Sequence, residues 1–509
     1  MNNDKYLFYF LSFLEGASVM AAELLGAKML APFFGSSLYV WSSVLGITLG
    51  GLALGYFTGG IISQKANAKR NLFVILLLSA IFLIVMPMLA RTVMIHTAGF
   101  SFLISILFSS VIFLFPPVFF MGMVSPLIVQ CVNAEQPGKA AGTVFAISTL
   151  GGIISTFLLG FYLIPHFGLS KPALAIGIIL GIIPFLKLIT GKKFFSLLFL
   201  LAAFVAFSNS KVPPLQNGDA RILYSSEGLL GQVVVADYPY YENSKKTGTQ
   251  RILFMNRSLQ TIVTRKNGSE SYFDYVNLIG QLSVDGSCLN KKALVLGLGG
   301  GSVANVLVKN GFSVDAVELD ARMAECAKEY FNMNDKVNIE IDDARHAVHQ
   351  PSAISHQSYD IIVLDAFVGE VNPHHLFTKE FFSELKPLLS DSGIFFINGN
   401  GYWNGEAGKG MRAICKTLLA SGFDVNIIPT REEEEYRNLV FEARKTKNGS
   451  GDLASEKIHD LSLNDAVVLE DEKPRLEILN VEANKRWREA CLHYFLRGYY
   501  SGQDKLIFQ

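Results

Sequence analysis

The sequence has no excess of charge of either sign: 44 Lys and Arg offset 44 Asp and Glu over 509 residues. That leaves no basic field to attract nucleic acid, so a nucleic-acid partner is not expected. Cysteine is scarce and scattered. Cys131, Cys288, Cys326, Cys415 and Cys491 form no CxxC pair, so neither a zinc site nor a disulfide framework is indicated, and small buried hydrophobes of a reducing compartment are expected. No metal is expected. No secretory leader stands out, since the first apolar segment carries Glu15 and Glu23 and lacks a clear cleavage site.

What is abundant is apolar length. Mean hydropathy is +0.34, high for a soluble chain, and 509 residues exceed one ordinary domain. From Tyr6 to about Asn209 long apolar runs follow one another, while from Lys211 onward the composition is ordinary globular. The Lys-Val-Pro-Pro stretch at 211–214 reads as the linker. About 20 apolar residues cross a bilayer core as a helix. By that measure the candidate spans are 6–31, 38–63, 71–94, 100–132, 139–164 and 172–190, with 194–209 doubtful because it is short. Pro116, Pro117 and Pro126 predict a kink or break in the fourth.

In the second span, the steps Gly46-xxx-Gly50 and Gly51-xxx-Gly55-xxx-Gly59 leave a face without side chains, which another helix can approach closely. In the first, Glu15 and Glu23 lie eight positions apart, on broadly one face. Carboxylates at membrane depth face a partner or a wet cavity. An ion pair of Glu23 with Lys28 or Arg91 and a functional role are both open.

From Lys291 strands and helices alternate. Ala293–Gly297 is a buried strand, followed by the turn GLGGG at 297–301 and a helix over 302–310. Strands are expected at Val314–Leu319, Val337–Ile341, Asp360–Leu364 and Gly393–Asn398, with a helix over 321–331. Such alternation predicts a parallel, doubly wound sheet. Its ligand sits at the carboxyl ends of the strands. Gly297 and its neighbours let backbone approach a ligand. Glu318, about twenty residues on, can accept both hydroxyls of a ribose. Asp342, Asp343 and Asp365 stand at the tips of the next two strands.

With these motifs in place, the chain resembles the spermidine synthase family, and specifically its membrane-fused bacterial branch. The resemblance covers most of 220–445. It rests on Gly231-Gln232, Asn256-Arg-Ser-Leu-Gln260, a tyrosine-bearing helix around 272–282, GLGGGS, VELD (317–320), DDAR (342–345), IIVLDAF (361–367) and Leu376–Phe382, with Glu470–Pro474 and the pair Glu23 and Lys28 beyond it. The resemblance implies a multi-span α-helical membrane domain (1–210), a small β subdomain and helix (211–285), and a Rossmann-like donor-binding catalytic domain (286–509). It implies a transferase of alkyl groups, aminopropyltransferase-like, with S-adenosylmethionine or its decarboxylated form as donor.

Residue by residue, it implies that Glu318 holds the donor's ribose and that Asp343 with Ala344 lies at the adenine. Gly297 and Gly299 would shape the loop around the sulfonium part. Gln232 and Gln260 match glutamines lining the donor pocket, Tyr275 edges the active site, and Asp365 matches the base that takes the amine proton. Three anchors of the family are missing. Gly300 replaces the aspartate of its glycine loop, Val368 the second acid after Asp365, and Val276 with Asn277 the polar pair after the tyrosine. A dicationic acceptor would lack carboxylates to offset its desolvation, so putrescine is not the expected acceptor. A hydrophobic acceptor, or a group on the donor itself giving a cyclised or eliminated fragment, fits better. Loss of the flanking acids also removes like-charge neighbours that would raise the Asp365 pKa.

Two alternatives stand beside the aminopropyltransferase-like reading: a methyltransferase, and a transporter or sensor whose second half binds a nucleoside. The expected partners are a small-molecule substrate and the lipid bilayer, and a homodimer is left open. The basic clusters Lys65, Lys69, Arg70 and Lys187, Lys192, Lys193 can both face the cytoplasm. A full crossing by 194–209 would then carry the second half away from a cytosolic donor. We therefore expect that segment, or the helix count elsewhere, to depart from a full span, with the catalytic domain on the cytoplasmic side of a bacterial inner membrane. His374-His375 suits a lid or a plain loop, Tyr402 and Trp403 a pocket wall or core, and Glu432–Glu435 a solvated face.

Overall fold

The computed structural model describes residues 2–34, 38–65, 67–97, 102–132, 136–209, 220–242, 245–264, 270–284, 291–349, 358–446 and 451–496. The 211–214 linker and Cys288 lie outside them. Contacts divide the chain into two compact units, Met1–Pro214 with Ser226–Gln232, and Leu215–Ser225 with Val233–Gln509.

The first unit is helical: α1 (Asn2–Phe34), α2 (Leu38–Ser63), α3 (Ala68–Thr97), α4 (Phe102–Phe113), α5 (Phe115–Gly122), α6 (Val124–Val132), α7 (Pro137–Leu158), α8 (Ile164–Phe167), α9 (Ser170–Thr190) and α10 (Leu197–Asn209). Among the described residues six stretches are long and apolar enough to cross a membrane: Asp4–Phe34, Tyr39–Ser63, Ala68–Met94, Phe115–Val132, Pro137–Phe167 and Ser170–Thr190. The fourth candidate is broken as its prolines predict, at Leu114 and Met123, just ahead of Pro116 and Pro126. A proline supplies no N–H to the preceding turn. Pro165 has a similar companion, a π-helical turn over Leu159–Leu163. At 13 residues, α10 is about 20 Å long, short of a hydrocarbon core of about 30 Å.

Half of the glycine reading is corrected. A β-carbon on Gly55 would lie 2.4 Å from the Phe119 carbonyl oxygen, and one on Gly59 2.6 Å from the Met123 α-carbon, so this stripe carries the α2 packing against α5 and α6. Gly46 and Gly50 meet nothing within 4 Å and belong to another face. The tightest glycine seam was not expected. Gly16 of α1 and Gly151 of α7 would place β-carbons 2.0 Å from the Ser148 oxygen and 2.2 Å from the Phe13 oxygen. Neither suggested partner of Glu23 is engaged: among the described residues no ion pair joins it to Lys28 or Arg91, and Lys28 Nζ lies 5.7 Å from the Trp41 ring.

Beyond the helices the described residues carry two sheets. Strands β1 (Arg221–Gly228), β2 (Gly231–Glu242), β3 (Lys245–Met255), β4 (Ser258–Thr264) and β5 (Glu270–Ser271) follow one another in a five-stranded sheet. Helix α11 (Asp274–Val284) leads into the Rossmann-like part. There β6 (Lys292–Leu296), α12 (Ser302–Lys309), β7 (Ser313–Glu318), α13 (Ala321–Tyr330), β8 (Asn338–Ile341), α14 (Ala344–His349), β9 (Tyr359–Leu364), α15 (Lys379–Leu385) and β10 (Leu389–Asn400) alternate. They are followed by α16 (Lys409–Ala420), β11 (Phe423–Pro429), β12 (Asn438–Lys445), β13 (Leu453–Ala454), α17 (Leu476–Leu479) and α18 (Val481–Leu496).

The eight-stranded sheet runs β13-β11-β12-β10-β9-β6-β7-β8. Its β8 to β10 half is parallel, as the alternation predicts, but β12 is antiparallel to both β10 and β11, so the sheet is mixed. All six residues of β9 are buried, because helices cover both faces of a central parallel strand. Phe377, Phe381, Phe382 and Phe395 pack one such face, each contributing about 1.5–3 kcal/mol of transfer free energy. Trp403 joins this core and donates from Nε1 to the Asp460 oxygen, so it is core rather than pocket wall. Cys326, Cys415 and Cys491 are buried and Cys131 half-buried.

Candidate active site

Strand order reverses between β6 and β9, which lie side by side although β7 and β8 intervene in sequence. A crevice opens at the carboxyl ends of the strands at such a switch point. Its floor is the turn after β6. Gly297 has φ +93° and donates its N–H to the Val317 oxygen at 2.9 Å. A β-carbon there would come 2.3 Å from the Asp365 oxygen, so glycine lets the two strand tips touch. Gly299 and Gly301 also have positive φ, and Gly301 starts α12.

Glu318, the last residue of β7, is pinned by that turn. Its Oε2 accepts the Leu298 N–H at 3.0 Å and its Oε1 the Asp320 N–H at 2.9 Å. Burial pushes its carboxyl up, and these two donors oppose the rise. A carboxylate offers about four acceptor positions, so both oxygens keep room for a hydroxyl donor.

Asp343 has a structural task. As the residue before α14, its Oδ1 accepts the N–H groups of Arg345 and His346 at 3.0 and 3.1 Å, an N-cap. His375 Nε2 lies 2.9 Å from its Oδ2, and that contact leads the causes holding the carboxyl below its ordinary range. His375 thus braces the cap, and His374 Nε2 lies 3.0 Å from the Glu470 oxygen. Ala344, the first residue of α14, is buried. Next along, Arg345 forms paired bonds with Glu384 and with Asp471. Asp471, for which the sequence suggests no task, ties the C-terminal segment to α14.

Asp365 follows β9. Its Oδ2 accepts the Tyr275 hydroxyl and its Oδ1 the Asn398 Nδ2 amide, both at 2.8 Å. Burial raises its pKa, and the two donors pull the other way. No acidic neighbour is among the causes of the rise, which is the work of burial. Tyr275, on α11, is itself pushed well above its ordinary value, by burial first and by Asp365 second. The chain continues outward, since Asn438 Nδ2 donates to Asn398 Oδ1 at 3.0 Å. Gln260, on β4, donates from Nε2 to the Gly369 oxygen at 2.8 Å, holding the loop after Asp365. Gln232 is half-buried at the start of β2.

Residues 273–437 match the family model described as "Spermine/spermidine synthase domain". Over these residues the chain is similar to that domain family. It is 31% identical over 193 residues to a polyamine aminopropyltransferase of Vibrio vulnificus, across 36% of this chain and 61% of that one. It is 39% identical over 110 residues to an N-terminal histidine N-methyltransferase of Emericella nidulans, across 21% of this chain and 20% of that one. Both matches span less than two thirds of the relative. Among solved structures, a probable spermidine synthase from Corynebacterium glutamicum superposes with a TM-score of 0.34 at 20% identity, covering 44% of this chain and 78% of that one.

Within this spermidine synthase-like domain the replaced positions have definite surroundings. The Gly300 N–H donates to Thr261 Oγ1 at 2.8 Å, and a β-carbon at 300 would lie 2.7 Å from Thr261 Cγ2. Thr261 thus occupies the space a side chain at 300 would need. Val276 is 1% exposed and packed in the core, while Asn277 is exposed. The buried acid in the loop after Asp365 is Glu370, and it is ion-paired with buried Arg488. Sequence reasoning missed Asn398 and Asn438. Asn398 was nonetheless legible as a polar residue closing a predicted strand beside that of Asp365, whereas Asn438 sits in a strand that was not read.

Proposed function

We propose that the chain is a membrane-integrated transferase that takes an S-adenosylmethionine-type donor, intact or decarboxylated, and releases methylthioadenosine. The observation that supports this best is Asp365, raised by burial, held by Tyr275 and Asn398, and touching the glycine turn at the switch point. A sulfonium carbon is already activated, so a protein mainly positions the nucleophile and removes its proton. The nucleophile forms a bond to the carbon next to sulfur, the carbon–sulfur bond breaks, and its electron pair leaves with the thioether. The proton of an amine nucleophile passes to Asp365 Oδ. In this reading Glu318 binds ribose, Asp343 and Ala344 border the adenine, Gln232 and Gln260 line the donor pocket, and Gly297 and Gly299 admit the sulfonium part.

The acceptor in this proposal is not putrescine. It is an apolar amine or a group of the donor itself, the second giving a cyclised or eliminated fragment. The catalytic unit faces the cytoplasm of a bacterial inner membrane, where the donor is made. The test is incubation of purified full-length protein with each donor form, alone and with a panel of amines, reading nucleoside products by mass spectrometry. Methylthioadenosine from one donor names it; none from either, with every acceptor tried, sinks the proposal. The identity to the Emericella nidulans methyltransferase supports a second reading, methyl transfer, which would give adenosylhomocysteine in the same assay.

A further inference from the structure

The helical unit contains a cavity of about 330 Å³ lined by Glu15, Tyr56, Ser148, Thr149, Thr156 and Phe157, among others. Its walls come from α1, α2 and α7, all within one unit. Glu15 is 1% exposed. Its Oε2 accepts the Ser148 hydroxyl at 3.0 Å and the Ser125 hydroxyl at 3.5 Å. Its Oε1 takes no hydrogen bond from any described residue, and among the described residues no Lys, Arg or His pairs with Glu15. The Gly16 and Gly151 seam brings α1 and α7 into backbone contact beside it, so the carboxylate cannot swing away with a loosely held helix.

A lone carboxylate at membrane depth is costly and needs a compensating positive charge. Two neutral hydroxyls orient it but do not neutralise it. A proton alone would neutralise it and would need no room, whereas 330 Å³ falls in the size range of small-molecule sites. One acid and a few hydroxyls are too few ligands for a metal ion. The lining is also two-sided. Hydroxyls of Ser148, Thr149 and Thr156 accompany the carboxylate, while Val19, Met20 and Ile153 are apolar and the Tyr56 and Phe157 rings can face a cation.

We propose that this cavity is a binding site for a monovalent organic ammonium ion with an apolar body, its nitrogen on Glu15 and its chain along α7. The site is independent of the donor chemistry proposed above, and its test needs no turnover. Full-length protein is placed in nanodiscs of phosphatidylcholine and phosphatidylglycerol, and binding of radiolabelled hexylamine is measured near neutral pH. Saturable binding is expected, displaced by unlabelled hexylamine but not by hexanol or hexanoate. Glu15→Gln should weaken it about tenfold to a hundredfold, the worth of a charge-assisted contact. Thr156→Leu, which narrows the cavity without touching the carboxylate, should weaken it too, and it serves if Glu15→Gln does not fold. Adding phosphatidylethanolamine separates a lipid ammonium headgroup, which would compete, from a free amine, which would bind unchanged. Absence of saturable binding, equal displacement by hexanol, or binding by folded Glu15→Gln equal to that of the parent protein overturns the proposal.

Discussion

Tyr275→Phe is the sharpest probe of the site. It deletes one oxygen, the donor that lies 2.8 Å from Asp365 Oδ2, and leaves in place a ring that is 7% exposed. A hydrogen bond to an ionised acceptor is worth about 1.5–3 kcal/mol. That bond favours the carboxylate over the carboxylic acid, so its loss raises a pKa that burial has already raised. Converted at about 1.4 kcal/mol per tenfold, the acidic limb of the pH–rate profile should move about one to two pH units toward alkali. Below that limb the rate falls about tenfold to a hundredfold, and above it the rate recovers, because the base is again ionised. The measurement is the initial rate of methylthioadenosine release from acid to alkaline buffers, with the melting temperature as a check on folding. A uniform loss at every pH with the limb unmoved would refute the reasoning, since it would leave Tyr275 as packing alone.

Three further outcomes are expected. Asp365→Asn should abolish turnover, and its stability relative to the parent protein should depend on pH with a defined sign. The folded state of the parent protein holds the Asp365 proton more tightly than the unfolded state, so its stability contribution is present at acid pH and lost as pH rises through the raised pKa. The variant, neutral throughout, should gain in melting temperature relative to the parent protein on the alkaline side. Arg345→Ala leaves Glu384 and Asp471 without their shared cation, costing about 1–2 kcal/mol for a partly exposed network and a few degrees of melting temperature. Arg345→Lys should restore only part of it, because an ammonium cannot make the paired bonds. Gly300→Asp alone should weaken donor binding by calorimetry, and Thr261→Ala on that background should recover much of it. Additive effects of the two changes would remove the steric account of position 300.

The Rossmann-like half was legible where residues report on a local environment. Strands β6, β7 and β9 are apolar runs ended by a glycine turn, Glu318 and Asp365, so both strand and tip could be read from neighbours in sequence. Strand β12 carries Val440, Glu442 and Arg444 on one face and Leu439, Phe441 and Ala443 on the other, and it was missed along with Asn438. Pairs far apart were not legible at all. Arg345 meets Asp471 across 126 positions, and Arg488 meets Glu370 across 118. The glycines of α2 show a similar limit. Gly50 and Gly51 are adjacent in sequence and about 100° apart on the helix, and only the approach of α5 decides which face packs.

The charges around Asp365 decide what can stand next to it. Glu370 is the one buried acid in the following loop, and Arg488 neutralises it. Asp274, beside Tyr275, is paired with Arg431 at 2.6 Å, and Glu434 with Arg437 at 3.0 Å. Among the described residues Asp365 has no cationic partner, and both its oxygens are held by neutral donors. A diamine placed here would bring two positive charges to one available carboxylate. A second charge left uncompensated in a buried site is among the more expensive arrangements a protein can hold. A nucleophile that is neutral, or that belongs to the donor and is fixed by the donor's own contacts, avoids that cost. In the proposed reaction it also suits Asp365 as a base: burial raises its pKa, so its carboxylate takes a proton from an attacking amine more readily.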